Sequence, residues 1–183
     1  MAAILDLLKK LPIDFGQRYC RYKSKGKMIA MDLIKDGTGK KALDAGCYRG
    51  WFSLGLKRKK YDVYACDLHD GQGIPFVKYA QADLNKILPY EDNFFDLIIS
   101  LEVLEHLDNP SFTISEFRRV LKKDGELILT TPNSYCLIFR LFSLFGLTPQ
   151  KIQRPEHKHF FCVDDIKRLF PSEIGRASCR ERV

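Results

Sequence analysis

Residues 43–50 read Leu-Asp-Ala-Gly-Cys-Tyr-Arg-Gly, LDAGCYRG. An apolar lead-in ends in Asp44, and Gly46 and Gly50 follow four residues apart around a Cys-Tyr-Arg insert. The lead-in suits a short buried strand. Gly46 lets the chain turn sharply and lets a ligand approach bare backbone. Gly50 lets a helix begin tight against the strand, and its first N–H groups have no partner within the helix. The stretch therefore predicts a strand–turn–helix unit with a ligand over the turn.

Outward from this unit the texture repeats. Strands are expected at residues 42–45, 62–66, 76–80, 95–100 and 126–131, with amphipathic helices at 51–60 and 110–122. Lys57, Arg58, Lys59 and Lys60 close the first of these helices, where the dipole favours cations. Asn109 caps the second, Pro110 sits in its first turn, and Ile114, Phe117 and Leu121 form its buried face. Gly125 is expected to end it. Nearly continuous apolar strands alternating with helices imply an α/β, doubly wound, mostly parallel sheet covered on both faces. In such sheets ligands bind beyond the carboxyl ends of the strands. Those positions carry Asp44, Asp67 and Asp83, then Ser100, Leu101 and Glu102, then Glu105 and His106. Asp67 lies 21 residues past Gly46, near the spacing at which an acid meets a ribose diol. Three acids at three successive strand ends describe a pocket for a ligand with hydroxyls, an exocyclic amine and positive charge.

Five stretches in this order carry a family resemblance: LDAGCYRG, VYACDL, QADLN, LPYEDNFFDLIISLEVLEHL and FRRVLKKDGELILTTPN. They resemble the class I S-adenosylmethionine-dependent methyltransferases of the small-molecule type, which includes the ubiquinone and menaquinone biosynthesis enzymes. EHKHFFCVDDIKRLF, residues 156–170, is similar to the family's segment after the fifth strand. The resemblance implies S-adenosyl-L-methionine as cofactor and a small molecule as methyl acceptor. It implies that Asp44, Gly46, Cys47 and Gly50 bound the methionine end. Asp67 would accept both ribose hydroxyls, and Asp83 would accept from the adenine amine with Leu68 and Leu84 against the ring. Leu101 and its neighbours would close the methionine side. Tyr48 stands where the family has its middle glycine. The family sheet has two further strands, which nothing after Phe170 supplies.

His106 either takes a proton from a hydroxyl acceptor or only orders its loop; histidine titrates near neutrality. His157 and His159 form a His-x-His pair without a third ligand at suggestive spacing, so no metal is expected and the pair reads as loop packing or a substrate-side loop. Residues 135–147 are apolar, broken by Arg140, Ser143 and Gly146, and read as a substrate lid, a membrane-surface helix or core packing. Asp96 is expected to end a turn, and Cys66 and Cys162 to be small buried hydrophobes.

Composition bounds the rest. The 183 residues are 45% apolar, one domain's worth with a real core. No apolar run is long enough to span a bilayer, though peripheral membrane contact stays open. Six cysteines without a Cys-x-x-Cys pair point to a reduced, cytoplasmic home. Residues 1–40 read as an amino-terminal helical segment and 41–172 as the cofactor domain. Residues 174–183, IGRASCRERV, back-translate without strain into a sequencing adapter, so residues 173–183 are expected to be a non-native tail. That tail holds three arginines and one glutamate, and the net charge without it falls from +7 to +5. The basic RYCRYKSKGK, residues 18–27, reads as a solvated face or an anion patch.

Other functions fit less well. An NAD enzyme would want G-x-G-x-x-G and gives no reason for Asp83. A nucleic-acid amino-methylating enzyme would want a Pro-Pro-aromatic stretch where this chain has SLEV, and an RNA cytosine enzyme a Pro-Cys pair that is absent. No nucleic-acid partner is expected. A non-catalytic cofactor-fold binding module remains the competing class.

Overall fold

The computed structural model describes residues 25–70, 74–135, 137–153 and 155–170. The helix expected around Ile4, Leu7, Leu8 and Leu11, and the tail at 173–183, lie outside the described residues. In chain order the elements are α1 (Lys25–Leu33), β1 (Lys41–Ala45), α2 (Trp51–Arg58), β2 (Asp62–Asp67), β3 (Lys78–Gln81) and β4 (Phe95–Leu101). A 3-10 turn (Leu104–His106), α3 (Pro110–Val120), β5 (Leu121–Thr130), α4 (Leu137–Ser143), α5 (Pro149–Ile152) and α6 (Val163–Leu169) follow.

Every strand pair is parallel, and the order is β3-β2-β1-β4-β5. The chain winds from β1 outward to β3, then crosses back to β4 on the other side of β1. That reversal opens a crevice at the carboxyl ends of β1 and β4. β1 sits in the centre, with Asp44 beside Ala65 on one flank and Ile99 on the other.

Alternate residues of each strand serve opposite faces, and both faces are apolar here. Leu43, Ala45, Phe95 and Ile98 pack against Ile114, Phe117 and Val120 of α3. Ala42, Val63, Leu97 and Ile99 pack against Ala30, Ile34 and Leu56 on the other side. Two covered faces explain why the strands read as unbroken apolar runs. Burying a side chain the size of Phe117 contributes about 2–3 kcal/mol.

The structure moves several boundaries. β3 begins at Lys78, two residues later than expected, because Phe76 is exposed and adopts a left-handed backbone (φ 62°) that no strand allows. α3 ends at Val120, not near Gly125. Leu121 is already extended and pairs with Phe95, and regular pairing resumes at Glu126 after a register shift. The Asn109 cap and Pro110 are as expected, with Asn109 Oδ1 accepting from Phe112 N at 3.1 Å. Cys66 is buried, but Cys162 is only half-buried and caps α6, its N–H donating to Asp165 Oδ2 at 2.9 Å. Asp96 clamps the amino ends of the strands, accepting from Lys41 N at 2.9 Å and Lys122 Nζ at 2.8 Å. Among the described residues, no helix is long and apolar enough to cross a membrane.

Candidate functional site

The turn after β1 is tied to the end of β2. Gly46 N and Cys47 N both donate to the Cys66 carbonyl, at 2.8 and 3.1 Å, and Gly50 N closes the turn on the Cys47 carbonyl at 2.8 Å. Gly46 has φ 78° and Gly50 φ 73°, the left-handed region that glycine enters without cost. A Cβ on Gly46 would lie 2.5 Å from Val103 Cγ2, so the turn and the loop after β4 meet with no room between them.

Asp44, 3% exposed, accepts from Ser53 Oγ of α2 at 2.5 Å. Burial lifts its carboxyl to about 6, only partly offset by that hydrogen bond. Asp67 reaches back over the turn. Its Oδ2 accepts from Tyr48 N at 2.7 Å and its Oδ1 from His69 N at 3.1 Å, which ties the carboxylate to the turn after β1. Asp67 O accepts from Ala82 N at 2.9 Å, holding the end of β3 beside it. Asp83 then accepts twice through Oδ1, from Asn85 N at 2.9 Å and Asn85 Nδ2 at 3.1 Å. The Asn85 backbone bond is the main reason its carboxyl lies below the usual range. Leu68 is an exposed apolar side chain, whereas Leu84 is buried and its carbonyl accepts from Thr113 Oγ1 of α3 at 2.8 Å. Asn85 Oδ1 accepts from Asp108 N at 2.8 Å and so binds the loop after β3 to the loop after β4.

The first four strand ends are thus cross-linked at one edge of the sheet, where Asp44, Gly46, Cys47, Gly50, Asp67, Leu68, Asp83, Leu84 and Leu101 all lie. Bare backbone at Gly46 and pinned acids at the strand ends fit an adenosyl cofactor. Two buried hydroxyls lie near the same edge. Ser100 Oγ and Thr130 Oγ1, near the carboxyl ends of β4 and β5, have no hydrogen-bond partner among the described residues. Buried hydroxyls ordinarily have one.

Tyr48 takes the glycine-like conformation at φ 49° and stays 42% exposed, with the Arg49 guanidinium 5.4 Å from its ring. A side chain in this region costs about 1–2 kcal/mol, which accounts for the glycine the family places there.

The loop after β4 builds a second cluster. Glu102 has φ 58°, donates its N–H to the Thr130 carbonyl at 2.8 Å and pairs with Lys27 Nζ of α1 at 2.9 Å. Lys27 is buried. Leu104 and Leu107 sink into the core and orient the 3-10 turn between them. Glu105, 2% exposed, accepts from Thr131 Oγ1 at 3.1 Å, and burial raises its carboxyl to about 7. Its carbonyl accepts from Lys158 N at 2.8 Å and His159 N at 3.1 Å. His106 Nδ1 lies 3.1 Å from the Glu156 carbonyl. A carbonyl cannot donate, so Nδ1 carries the proton and Nε2 is the basic nitrogen. The His157 ring stands edge-on to His106, centroids 4.8 Å apart, with His157 Nδ1 on Gln153 Oε1 at 3.1 Å.

His159 is turned away from this cluster and stacks on Phe161. The donor atoms of Glu105, His106 and His157 lie within 4.8 Å of one another. Ligands about 2.0–2.1 Å from zinc sit ~3.3 Å apart, so the three would have to draw together to hold an ion. Sequence reasoning placed Glu105 at a strand end and His157 in a His-x-His pair, but gave neither a partner and passed over Lys27. The KSKGK run held the signal for Lys27, read as a solvated face or anion patch.

Comparison with known proteins agrees with this architecture. A family described as a methyltransferase domain matches residues 16–175. The ubiquinone biosynthesis O-methyltransferase of Dechloromonas aromatica is 30% identical over 156 residues, covering 76% of this chain and 62% of that enzyme. The chain thus spans less than two thirds of that relative's length. Two solved structures are similar in fold. The YcgJ protein of Bacillus subtilis has a TM-score of 0.62 at 17% identity, covering 81% of this chain and 66% of that one. An S-adenosylmethionine-dependent methyltransferase from Mesorhizobium loti has a TM-score of 0.53 at 20% identity, covering 59% and 53%. The chain belongs to the class I S-adenosylmethionine-dependent methyltransferases.

Proposed function

We propose that this chain carries out methyl transfer from S-adenosylmethionine to an oxygen of a small-molecule acceptor in a reducing, cytoplasmic setting. The cofactor supplies a methyl group already activated on a sulfonium. The protein's work is then alignment, exclusion of water and handling of one proton. In this reading Asp44, Gly46, Cys47 and Gly50 bound the methionine end, and Leu101 closes it. Asp67 accepts from the ribose hydroxyls, and Asp83 from the adenine amine, with Leu68 and Leu84 against the ring. Lys27, brought in by α1 from residues 1–40, balances Asp44 and Glu102 on the same side. His106 Nε2 takes the proton of an acceptor hydroxyl, and Glu105 holds the loop that presents it.

The observation that carries the choice of oxygen is the His106 contact with the Glu156 carbonyl, which leaves Nε2 as the acceptor nitrogen. A neutral, oriented imidazole is what a hydroxyl acceptor needs and a thiolate or activated carbon does not. The named activity of the Dechloromonas relative, O-methylation, is in accord.

The test is His106→Ala against wild type, following labelled methyl transfer to phenol and catechol. The expected loss in rate is on the order of 10²–10⁴, with S-adenosylhomocysteine affinity unchanged. A variant that keeps its rate would remove His106 from the chemistry. A second reading, a cofactor-fold binding module, has Tyr48 N on Asp67 Oδ2 in its favour, since that bond uses a face of the carboxylate the ribose would want. A wild-type chain with no thermal shift on S-adenosylhomocysteine would favour that reading.

A further inference from the structure

We infer that Gln81 is a positioning residue that aims the Asp67 carboxylate through the Leu68–His69 peptide, so that the site selects an intact ribose diol. This rests on Asp67 meeting the ribose, as proposed above. β3 runs parallel to β2, with Ala65 beside Tyr79 and Asp67 beside Gln81. Residues two apart on a strand share a face, so Tyr79 and Gln81 both serve the side on which Asp67 leaves β2. Their polar ends reach the loop after β2. Gln81 Nε2 donates to the Leu68 carbonyl at 2.9 Å. The Tyr79 hydroxyl donates to the His69 carbonyl and lies 3.3 Å from the Asp67 carbonyl. Burial pushes its phenol up to about 12, so it keeps its proton and donates.

The Leu68 carbonyl and the His69 N–H belong to one peptide unit. Such a unit is planar and twists little. Gln81 holds its oxygen, and Asp67 Oδ1 accepts from its nitrogen at 3.1 Å. An aspartate that accepts from the N–H two residues on makes a local turn, one of several paths open to a loop. Turning the peptide over would break both bonds together. Gln81 thus acts on Asp67 across a rigid plate. Gln81 itself is exposed, on a strand at the edge of the sheet, so its amide can be changed without opening the core.

The direction of the carboxylate decides what it can bind. Its other oxygen, Oδ2, accepts from Tyr48 N at 2.7 Å. A carboxylate has about four acceptor directions over its two oxygens, so a second direction on each oxygen is left for a hydroxyl. Accepting from two neighbouring hydroxyls at once requires the carboxylate plane to be set in advance. A single hydroxyl can be followed by a small rotation. The aim that Gln81 supplies therefore matters for a vicinal diol and little for a lone hydroxyl.

The full chain is titrated calorimetrically with S-adenosylhomocysteine and with its 2′-deoxy analogue. The wild type should prefer the intact ribose by on the order of tenfold to a hundredfold, the worth of one hydrogen bond to a charged group. Gln81→Leu keeps the bulk and loses the donor. It should weaken S-adenosylhomocysteine about tenfold and leave the 2′-deoxy analogue within about twofold. Tyr79→Phe strips one hydroxyl from the same loop and should lower the preference about threefold. In an Asp67→Ala background, Gln81→Leu should not alter the preference further. The preference is a ratio within one protein, so it can be read even where a variant melts earlier. A preference untouched by Gln81→Leu would overturn the inference. So would an equal loss for both ligands, which marks a general loosening of the loop, or an effect that persists without Asp67. A wild type that binds both ligands equally well would fail differently, striking the ribose role of Asp67 before any variant is made and the inference with it.

Discussion

The two halves of the crevice are built by different means. On the cofactor side, Asp44, Gly46, Asp67 and Asp83 each sit within three residues of a strand end, and backbone amides hold both Asp67 and Asp83. On the side proposed for the acceptor, His106 depends on Glu156 and His157, some 50 residues further on. The first half is local geometry repeated along a sheet. The second exists only after the chain has folded back. The cofactor side should therefore respond sharply to single residues, while the acceptor side should respond to whatever keeps residues 156–159 in place.

On the cofactor side, removing a pinned acid gives the largest expected effect. Asp67→Ala strips a carboxylate that accepts two backbone N–H bonds, and S-adenosylhomocysteine affinity should fall about 100-fold by titration calorimetry. KM for the acceptor should not change. If it changes equally, the halves are not separate. Gly46→Ala strikes where they touch. The left-handed backbone and the approach to Val103 should together cost about 2–3 kcal/mol in urea unfolding. Val103→Ala added to it should restore about 1 kcal/mol, which would measure the contact between the two sides.

Asp44 sharpens the comparison through pH. Its folded carboxyl, raised by burial to about 6, takes up a proton before an ordinary aspartate near 4 would. The folded chain therefore binds more protons in that window, and this group's contribution to stability falls as pH rises from about 4 to 6. Asp44→Asn should leave melting nearly unchanged at pH 4 and stabilise the unliganded chain by about 1–2 kcal/mol at pH 7.5. It should also weaken cofactor binding, since an amide offers no negative charge. The smallest effect is expected at Tyr48. Tyr48→Gly removes the left-handed side-chain strain and adds backbone freedom to the unfolded chain, for a net change within about 1 kcal/mol. Its readout is cofactor affinity, which should rise modestly if the ring crowds the turn.

How much of this could be read from residues follows the same divide. LDAGCYRG and the acids after β2 and β3 declare themselves because a glycine turn and an apolar strand leave signatures a few residues long. The family likeness rests on those short stretches. β3 was displaced by two residues because apolar Phe76 looks like strand but adopts a left-handed bend instead. α3 was overextended because Leu121 keeps the helical spacing of Ile114 and Phe117, yet pairs with Phe95. The partnership of His106 with His157 left no spacing to notice. The His-x-His pair suggested His157 and His159 together, whereas packing faces one toward His106 and the other toward Phe161. Lys27 was hidden in a basic run that ordinarily faces water.

The carbonyl of Glu105 has a consequence beyond placing a histidine. One oxygen receives the amides of both Lys158 and His159, while the Phe161 carbonyl receives Ser134 N. The returning segment is thus basted to the β4 turn at single points and not stitched along a ladder. Amide hydrogen exchange should find Lys158 and His159 opening by a small local excursion, well before the amides of β1 and β4 yield. Entry and exit of whatever occupies the crevice can then proceed on a timescale independent of unfolding the sheet.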